Sequence, residues 1–503
     1  GGLTMARTTV IIVIISVYLA VTLGVGLAAG RRASKSVTGY VAGDRDFGLL
    51  VMYFVFGATM FSAFAFLGGP GWAYSRGAAA FYILSYGALG MAPWYFMGPK
   101  VAELGRRRGY VTQAQLFVGR FPSRFLSAMV AALTVIAFIP YLTLQIRGAG
   151  IVVEAVTDGL VPLWAGAAVA YGIVVVYVLT SGVAAVGWTN TFQGVFMLVI
   201  AWSLGLYLPF RLYGGVGPMF EGIARERPEL LTVPGLDAAG EPWTWAAYGS
   251  AILVSAVGLT MWPHLFMKAF AAKSDQVIRR TVILFPSFQV FLVPVFLIGF
   301  AGVMFASAPA DSDFILPFMI LETDLPAVVV GLFCAGALSA SMSTGDALLH
   351  AAASVTVEDG LGPFVKLSEE RQRLLMRVLV LAVGTVAYTF ALDEDSSLVT
   401  LLLTSYGIIC QLAPTAVSAL YWKRATTPGV TAGLVAGAAT AVLFFNFPDL
   451  KPFGIHEGIL GLIVHVPVLV AVSMRTPRQE ALHAGAFVDL GPSPTPSDLR
   501  EAD

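Results

Sequence analysis

The sequence contains few charged residues and few cysteines. Only 12% of its 503 residues are charged, with 30 Lys and Arg against 30 Asp and Glu, whereas soluble domains carry about 25% charged residues. The absence of a basic surplus gives no reason to expect nucleic-acid binding, and a hydrophobic content of 57% excludes a disordered chain. Both cysteines, Cys334 and Cys410, lie in apolar runs, so neither a disulfide framework nor a cysteine metal site is expected.

Apolar runs of membrane-spanning length recur along the whole chain instead. The mean hydropathy is +0.80, and an apolar run of about 20 residues is long enough to cross a bilayer as a helix. The chain is therefore predicted to be an all-α polytopic membrane protein. The predicted spans are thirteen: 8–29, 47–74, 78–98, 124–153, 161–180, 189–210, 245–264, 280–306, 326–354, 373–391, 398–421, 429–446 and 458–474.

These spans predict an organisation into consecutive segments. Gly1–Thr4 precede Met5 and are interpreted as a remnant of expression cloning. The predicted segments are an extracellular start (1–7), a helix before the core (8–29), a first repeat (47–210), an extracellular loop (211–244), a second repeat (245–421), two C-terminal spans (429–474) and a cytoplasmic tail (475–503). The Pro-Ser-Pro-Thr-Pro stretch near the end predicts disorder from about residue 477.

The positions of the charges predict the orientation. Most Lys and Arg residues fall in one set of alternate loops, among them Arg106–Arg108, Lys268 and Lys366, whereas many acids, such as Asp311 and Asp449, fall in the other. The positive-inside rule places the first set in the cytoplasm. We therefore expect an odd number of spans, an outside N-terminus, a cytoplasmic tail, and a location in the cell inner (cytoplasmic) membrane.

Two predicted spans carry helix-breaking residues at mid-membrane depth. The second contains Gly57 and Gly68–Gly71 with a proline, and the seventh contains Gly258 and Pro263. Two such spans separated by four others predict an inverted repeat of five plus five helices. Backbone groups freed at such breaks can bind a small cation and a substrate anion. The alternative is an ordinary Gly or Pro kink in each span.

Five stretches carry a more specific signal: Phe66–Tyr74, Thr180–Asn190, Met261–Ser274, Ala340–Asp346, and Gln411–Pro414 with Tyr421–Arg424. They resemble the sodium:solute symporter family, and the resemblance covers nearly the whole chain in order. It implies about 13 transmembrane helices, a leucine-transporter-type fold with broken first and sixth core helices, and sodium as the coupling ion. The stretch from Phe61 to Tyr82 looks most like the monocarboxylate-permease branch, which implies uptake of a short-chain monocarboxylate.

Neutral oxygens are the candidate sodium ligands. Ser343 and Thr344 supply adjacent hydroxyls on the ninth span, and Ala340, one turn earlier, can offer a carbonyl on the same face. The resemblance implies these three as ligands, together with the carbonyls of Ala58 and Phe61 at the break of the second span. The alternative is that the two hydroxyls only bond to carbonyls four residues earlier in their own helix.

Asp346 is a carboxylate inside a predicted span, which makes it a candidate functional residue. Many family members carry Asp where this chain has Asn190, so Asp346 is predicted to tune a second cation or to serve as a proton site. The alternative is a solvated, structural carboxylate at the cytoplasmic vestibule. His350, one turn further, is interpreted as a packed neutral imidazole rather than a proton relay.

Arg147 is a cation deep in a predicted span, and its guanidinium suits an anionic substrate. The alternative is an Arg that snorkels to the outer surface or pairs with Glu154, two turns on. Tyr141 and Gln145 share one helix face and are predicted substrate contacts. The remaining predicted contacts are Ser62, Phe64, Ala65, Thr260 and Trp262, although the aromatic members have packing as their alternative role. Gly258–Thr260 lacks the bulky side chains of the sugar carriers, which favours a small or apolar substrate.

We expect a secondary symporter and not an enzyme. The sequence has no His-x-x-x-His, no Gly-x-Ser-x-Gly and no phosphate-binding loop. The alternatives are a sodium-coupled pantothenate or amino-acid symporter, or a transport-dead solute sensor. The expected partners are sodium, a small anionic solute and the lipid bilayer, with no nucleic acid and no obligate protein partner.

Overall fold

The computed structural model describes residues 5–30, 47–305, 309, 311–323, 325–392 and 398–490, so Gly1–Thr4 and the end of the predicted tail lie outside the described residues. The regular secondary structure of the described part is helical, apart from isolated β-bridges. Its α-helices are α1 (Met5–Gly30), α2 (Leu49–Met60), α3 (Gly69–Arg76), α4 (Tyr82–Met91), α5 (Trp94–Arg108), α6 (Gln113–Arg120), α7 (Arg124–Val156), α8 (Leu163–Tyr213), α9 (Val216–Glu226), α10 (Trp245–Thr260), α11 (Pro263–Ala271), α12 (Asp275–Gln289), α13 (Leu292–Gly302), α14 (Ile315–Leu321), α15 (Ala327–Val355), α16 (Glu369–Ala391), α17 (Leu398–Ile409), α18 (Ala413–Tyr421), α19 (Thr427–Asn446), α20 (Glu457–Arg475) and α21 (Ala481–Val488).

Within the described ranges, 10 helical segments are long and apolar enough to cross a membrane. The predicted spans without such a counterpart are 47–74, 78–98 and 161–180. The first is divided between α2 and α3, and the second between α4 and α5, so neither contains one uninterrupted long helix. The third contributes a shorter apolar helix, Leu163–Val176. The count of thirteen therefore stays a prediction.

The predicted spans 161–180 and 189–210 form one continuous helical run, α8. The residues that join them, 181–188, include Gly182 and Gly187 but neither proline nor a charged side chain. A single glycine inside a helix costs only about 1 kcal/mol, so the sequence between the two spans does not force the helix to end.

The centre of the molecule is α15. Almost every residue from Phe333 to Val355 is buried, and α15 packs against α1, α7, α8 and α2. Its many Gly, Ala and Ser residues allow neighbouring helices to approach closely, as is usual for helix interfaces in membranes. The candidate ligands on α15 therefore face other helices rather than lipid.

Close packing also fixes α3 against α13. An added Cβ on Gly299 of α13 would lie 2.1 Å from the carbonyl oxygen of Pro70 in α3. Only a glycine leaves room for this backbone contact. Because α3 follows directly on the interruption of the second predicted span, the contact positions one wall of the candidate site.

The predicted disorder from residue 477 is wrong for α21. Phe487 is fully buried, and the guanidinium carbon of Arg108 lies 4.2 Å from its ring centroid. Lys100 Nζ donates to the carbonyl of Val488 over 2.8 Å, and Lys423 forms an ion pair with Asp489. The short helix is fixed by contacts with the rest of the fold, which the local composition does not reveal.

Candidate functional site

Two interruptions of the helices face the centre of the molecule. After α2 ends at Met60, Phe61 and Ser62 are not helical, and a π-helical turn (Phe64–Gly68) leads into α3. On the other side, α10 ends at Thr260 and α11 begins at Pro263. Both interruptions are buried, so their backbone groups need partners other than water.

Side chains from α7 and from the segment around α6 supply those partners. Gln145 Oε1 accepts the N–H of Ala63 over 2.9 Å, and Gln113 Nε2 donates to the carbonyl of Met261 over 3.0 Å. Ser62 Oγ accepts the N–H of Phe64 over 3.2 Å. The predicted contacts Ser62 and Gln145 therefore hold the first interruption open as well as lining it.

Oxygens from two helices meet at the end of α2. The hydroxyl of Ser343 lies 2.9 Å from the carbonyl oxygen of Ala58 and 3.2 Å from that of Ala340. Thr344 is fully buried beside Ser343, and Phe61 follows Ala58 by one turn. The structure thus brings together three of the five predicted sodium ligands, and the hydroxyl of Ser343 bonds across to α2 instead of to the carbonyl four residues earlier.

Asp346 is fully buried on α15, one turn beyond Ser343. Thr189 of α8 donates its hydroxyl to Asp346 Oδ2 over 3.2 Å, and its neighbour Asn190 is fully buried too. The alternative of a solvated carboxylate at a vestibule does not agree with this burial. His350, one turn further, is buried as well.

The prediction that Lys268 lies in a cytoplasmic loop is wrong. Lys268 belongs to α11, its side chain is only 2% exposed, and Nζ donates to the carbonyl of Val55 in α2 over 3.2 Å. In the sequence, Lys268 lies in the run Pro263–Ala272, where only His264 is also polar.

The predicted substrate contacts form an aromatic box beside the interruptions. The rings of Tyr141 and Trp262 have their centroids 4.8 Å apart, and Tyr406 lies 5.7 Å from Trp262. The hydroxyl of Tyr141 is hydrogen-bonded to the side chain of Ser62. Phe64 meets the edge of Tyr82 at 6.4 Å. Sequence reasoning missed Tyr406 and Tyr82, because isolated tyrosines in apolar runs carry no distinguishing spacing.

Two predicted contacts occupy less central places. Ala65 is buried within the π-helical turn. Thr260 donates its hydroxyl to the carbonyls of Gly90 in α4 and Ala256 in its own helix, at 2.8 and 2.9 Å. Its hydroxyl therefore links α10 to α4.

Arg147 lies at one end of this region, beside a pocket. Its Nη2 lies 4.0 Å from Asp311 Oδ2, and the two residues line a pocket of about 540 Å³ together with Glu154 and Asp158. The ion pair with Asp311 replaces the pairing with Glu154 that the sequence left open. Because the side chain of Asp311 is 46% exposed, this pair is screened by solvent and stabilises the fold only weakly.

Asp313, two residues beyond Asp311, is almost fully buried. Burial and, to a smaller extent, the charge of Asp311 raise the pKa of its carboxyl to about 6. The backbone N–H of Leu398, which donates to Asp313 Oδ2 over 3.3 Å, and the charges of Arg147 and Arg76 oppose this shift. This end of the region thus holds acids and arginines that interact electrostatically with one another.

Comparison with known proteins identifies the family of the chain. The profile of the sodium:solute symporter family matches residues 40–437. The chain belongs to this family. The symporter is 30% identical over 466 residues to the uncharacterized symporter YhjB of Bacillus subtilis, covering 88% of this chain and 93% of the relative. It is 26% identical to a monocarboxylate transport permease protein of Rhizobium johnstonii, covering 88% and 91%. It is 26% identical to the sodium/pantothenate symporter of Escherichia coli, covering 84% and 88%.

Solved structures share the fold of the symporter. A Na⁺-coupled sialic acid symporter in a substrate-bound, outward-open state superimposes with a TM-score of 0.79 at 17% identity, covering 94% of this chain and 99% of the other. A nucleobase-cation-symport-1 family transporter with bromovinylhydantoin bound gives 0.57 at 15% identity, covering 90% and 98%. The symporter therefore has the leucine-transporter type of fold, and its family members are transporters, not enzymes.

Proposed function

We propose that this symporter takes up a short-chain monocarboxylate together with sodium by alternating access. The observation that carries the sodium half is the meeting of the Ser343 hydroxyl with the carbonyls of Ala58 and Ala340. Unwound carbonyls at broken helices are typical sodium ligands in this type of transporter. Phe61 and Thr344 are proposed to complete the ligand set.

Such a site favours one arrangement of the helices. Ala58 and Phe61 belong to the end of α2, whereas Ala340, Ser343 and Thr344 belong to α15. A sodium ion held by both helices stabilises the arrangement in which they are close, and a ligand shifts a conformational equilibrium by its difference in affinity for the two states. Sodium arriving from outside would thereby prepare the neighbouring substrate site.

The substrate half rests on the box beside the interruption. Phe64, Tyr141 and Trp262 give it apolar walls, and each is at most 2% exposed, so a solute bound between them would be shielded from water. Gln145 Nε2 is buried and has no hydrogen-bond partner among the described residues. An amide N–H₂ in that state is a donor available to a carboxylate, and Arg147 adds a positive charge two residues along α7.

The interruptions also support a proposal for the membrane topology. We propose that they are the breaks of the first and sixth core helices in a five-plus-five inverted repeat, within thirteen spans. The protein would lie in the inner (cytoplasmic) membrane of the cell. Its N-terminus would be outside and its tail in the cytoplasm. The uneven distribution of Lys and Arg between alternate loops supports this orientation.

The test is uptake by proteoliposomes that contain the purified protein. Labelled lactate, pyruvate and acetate are compared with labelled pantothenate and proline, with and without an inward sodium gradient. We expect sodium to stimulate uptake of at least one monocarboxylate. Ser343→Ala should reduce sodium affinity by about tenfold, which corresponds to about 1.4 kcal/mol. Ser203→Ala is the matched control, because the hydroxyl of Ser203 donates to Val199 within its own helix.

The outcomes separate the two halves of the proposal. Sodium-driven uptake of pantothenate or proline alone would contradict the monocarboxylate assignment and leave the sodium site standing. Equal sodium dependence in Ser343→Ala and Ser203→Ala would contradict the sodium site. Binding of a solute without any uptake would favour the sensor alternative.

A further inference from the structure

A pocket lined by basic side chains lies where two long apolar segments of the chain end. It measures about 330 Å³ and is formed by residues just beyond α18 and α20, together with the start of α21. Lys423 and Arg424 line it from the segment after α18, and Arg478 and Gln479 line it from the segment after α20. Among the described residues, no carboxylate belongs to its lining. The pocket therefore suits an anion.

The guanidinium of Arg424 is fixed in the wall of this pocket. Its Nη2 donates to the carbonyls of Met474 and Thr476, at 3.0 Å each, which ties the side chain to the end of α20. Its Nη1 is buried and has no hydrogen-bond partner in the described part of the chain. A buried N–H group without an acceptor is unfavourable, and a guanidinium offers its N–H groups in a geometry that matches phosphate. Arg424 can therefore donate to an anion and keep its present bonds.

A further positive charge lies directly behind the lining. Arg120, at the end of α6, is fully buried and donates to the side chain of Gln479 and to the carbonyl of Lys423, which both line the pocket. Burial lowers its pKa only to about 10, so it is charged at neutral pH. Within the ranges that the structure describes, its Nε has no hydrogen-bond partner and no carboxylate pairs with it. A buried cation without a counter-ion is costly, and an anion in the pocket reduces that cost.

Two carboxylates near the pocket offset these charges only in part. Asp489 pairs with Lys423, and Glu480 is an exposed residue directly before α21. Against the four cations named above, these two acids leave two positive charges. The first turn of α21 contains no acidic residue, so the partial positive charge at the helix N-terminus adds to them.

An apolar groove lies beside the basic pocket. It measures about 390 Å³ and lies between α10, α18 and α20, with Val257, Pro414, Trp422 and Leu469 among its lining residues. Trp422 directly precedes Lys423 in the chain, so the groove and the pocket come together at the end of α18. The groove suits an acyl chain, and the pocket suits the charged headgroup of the same lipid molecule. Basic pockets between membrane helices are known to bind lipid headgroups in this way.

We propose that the pocket at Lys423, Arg424 and Arg478 binds the headgroup phosphate of an anionic phospholipid, with an acyl chain of that lipid in the groove beside Trp422. The lipid belongs to the leaflet that borders the ends of α18 and α20, which is the cytoplasmic leaflet in the proposed topology. It holds the ends of these two helices and the start of α21 together, so it stabilises the folded protein. The inference depends on neither the transported solute nor the proposed sodium site.

The test is lipid binding to the purified full-length protein in detergent, measured by native mass spectrometry. The probes are phosphatidylglycerol, which is anionic, phosphatidylcholine, which has no net charge, and glycerol 1-phosphate, which lacks acyl chains. We expect one phosphatidylglycerol molecule per chain to bind about tenfold more tightly than phosphatidylcholine, and glycerol 1-phosphate not to compete with it. Equal binding of the two lipids would overturn the proposal. Glycerol 1-phosphate that binds as tightly as phosphatidylglycerol would identify a site for soluble phosphates and would also overturn it.

A double variant tests the basic side chains. Lys423→Gln/Arg478→Gln removes two charges at exposed positions, so it should fold, and it should bind phosphatidylglycerol about tenfold more weakly than the wild type does. Lys366→Gln/Arg371→Gln is the matched control, because it removes two exposed charges on the same predicted side of the membrane and neither residue lines the pocket. The control should bind like the wild type. Equal weakening in both variants would indicate a general attraction of anionic lipid to basic loops and would overturn the site.

A second pair of variants tests the groove. Val466→Trp fills part of it, since Val466 lines the groove and is itself exposed, and it should weaken binding of phosphatidylglycerol several-fold while leaving every charge in place. Ile463→Trp is the matched control, because Ile463 is exposed on the same helix but does not line the groove. Phosphatidylglycerol should also raise the melting temperature of Ile463→Trp more than that of Val466→Trp. Equal affinity and equal stabilisation of the two variants would overturn the placement of the acyl chain.

Discussion

At the scale of single residues, Asp313 connects the fold to pH. Its carboxyl is buried at the start of α17, and burial together with the charge of Asp311 raises its pKa to about 6. An aspartate in an unfolded chain has a pKa of about 3.9. The folded protein therefore binds a proton at Asp313 more tightly than the unfolded chain does.

This difference predicts the direction in which stability changes with pH. The stabilisation is fully present below about pH 4 and is lost as the pH rises through about 6. Melting temperatures are measured by intrinsic fluorescence at pH 5 and at pH 7.5. From pH 5 to pH 7.5, the melting temperature should fall by several degrees more for the wild type than for Asp313→Asn. This variant keeps an acceptor for the N–H of Leu398. Asp449→Asn, at an exposed position, should behave like the wild type. Equal pH dependence in all three proteins would contradict the assignment to Asp313.

Single residues also show what could be predicted from the sequence. The closeness of the Ser343 hydroxyl to the Ala340 carbonyl could be predicted, because the motif Ala340–Asp346 places both groups on one helix face, whereas the role of Ser343 as a sodium ligand stays a prediction. The burial of Lys268 could not be predicted, because a lysine near the end of an apolar run has the same appearance whether it lies in a loop or inside the protein. Its contact with Val55, more than two hundred residues away in the chain, exists only in the folded molecule.

At the scale of helices, the contact of α13 with α3 controls the position of the interrupted segment. In Gly299→Ala, the new methyl group would meet the Pro70 carbonyl, and overpacking of this kind costs about 1–3 kcal/mol. Gly249→Ala in α10 is the matched control, since nothing lies within 4 Å of its added Cβ. A helix gains up to about 1 kcal/mol when alanine replaces glycine in its interior.

We therefore expect Gly299→Ala to lower the melting temperature in detergent, and to lower substrate affinity because α3 is displaced. Gly249→Ala should leave both unchanged or raise the melting temperature. Thermal unfolding gives the first quantity, and uptake at a series of concentrations of the transported solute gives the second. If the two variants were equally stable, the close approach of α13 to α3 would be contradicted.

Helices also mark where prediction from sequence ends. The long apolar spans were predicted within a few residues, as for α16 and α19, because their length and composition are independent of the rest of the chain. The small helix α21 was not, because a segment of eight residues is unstable alone and depends on the burial of Phe487. The two interruptions were indicated by Gly and Pro, whereas the partners Gln113 and Gln145 that satisfy them come from other helices.

At the scale of the whole molecule, the formal charge of zero conceals a separation. Most Lys and Arg residues lie in one set of alternate loops, and many Asp and Glu residues lie in the other set. The fold does not determine which side faces the cytoplasm, since an all-helical bundle packs equally well in either orientation. The positive-inside rule supplies that information and predicts that Lys366 lies inside and Phe453 outside.

Single cysteines can test this orientation, because the native Cys334 and Cys410 are both buried and should react little. Lys366 and Phe453 are both exposed, so they make a matched pair of labelling positions. In intact spheroplasts, a membrane-impermeant maleimide should label Phe453→Cys and should label Lys366→Cys only after permeabilisation. The reverse pattern would place the N-terminus in the cytoplasm. Labelling of both positions in intact spheroplasts would place them on the same side of the membrane. An even number of spans would then separate them, and the predicted three would be wrong. The same experiment also shows from which side sodium would enter. In the predicted topology, the pocket beside Arg147 lies on the same side of the membrane as Phe453.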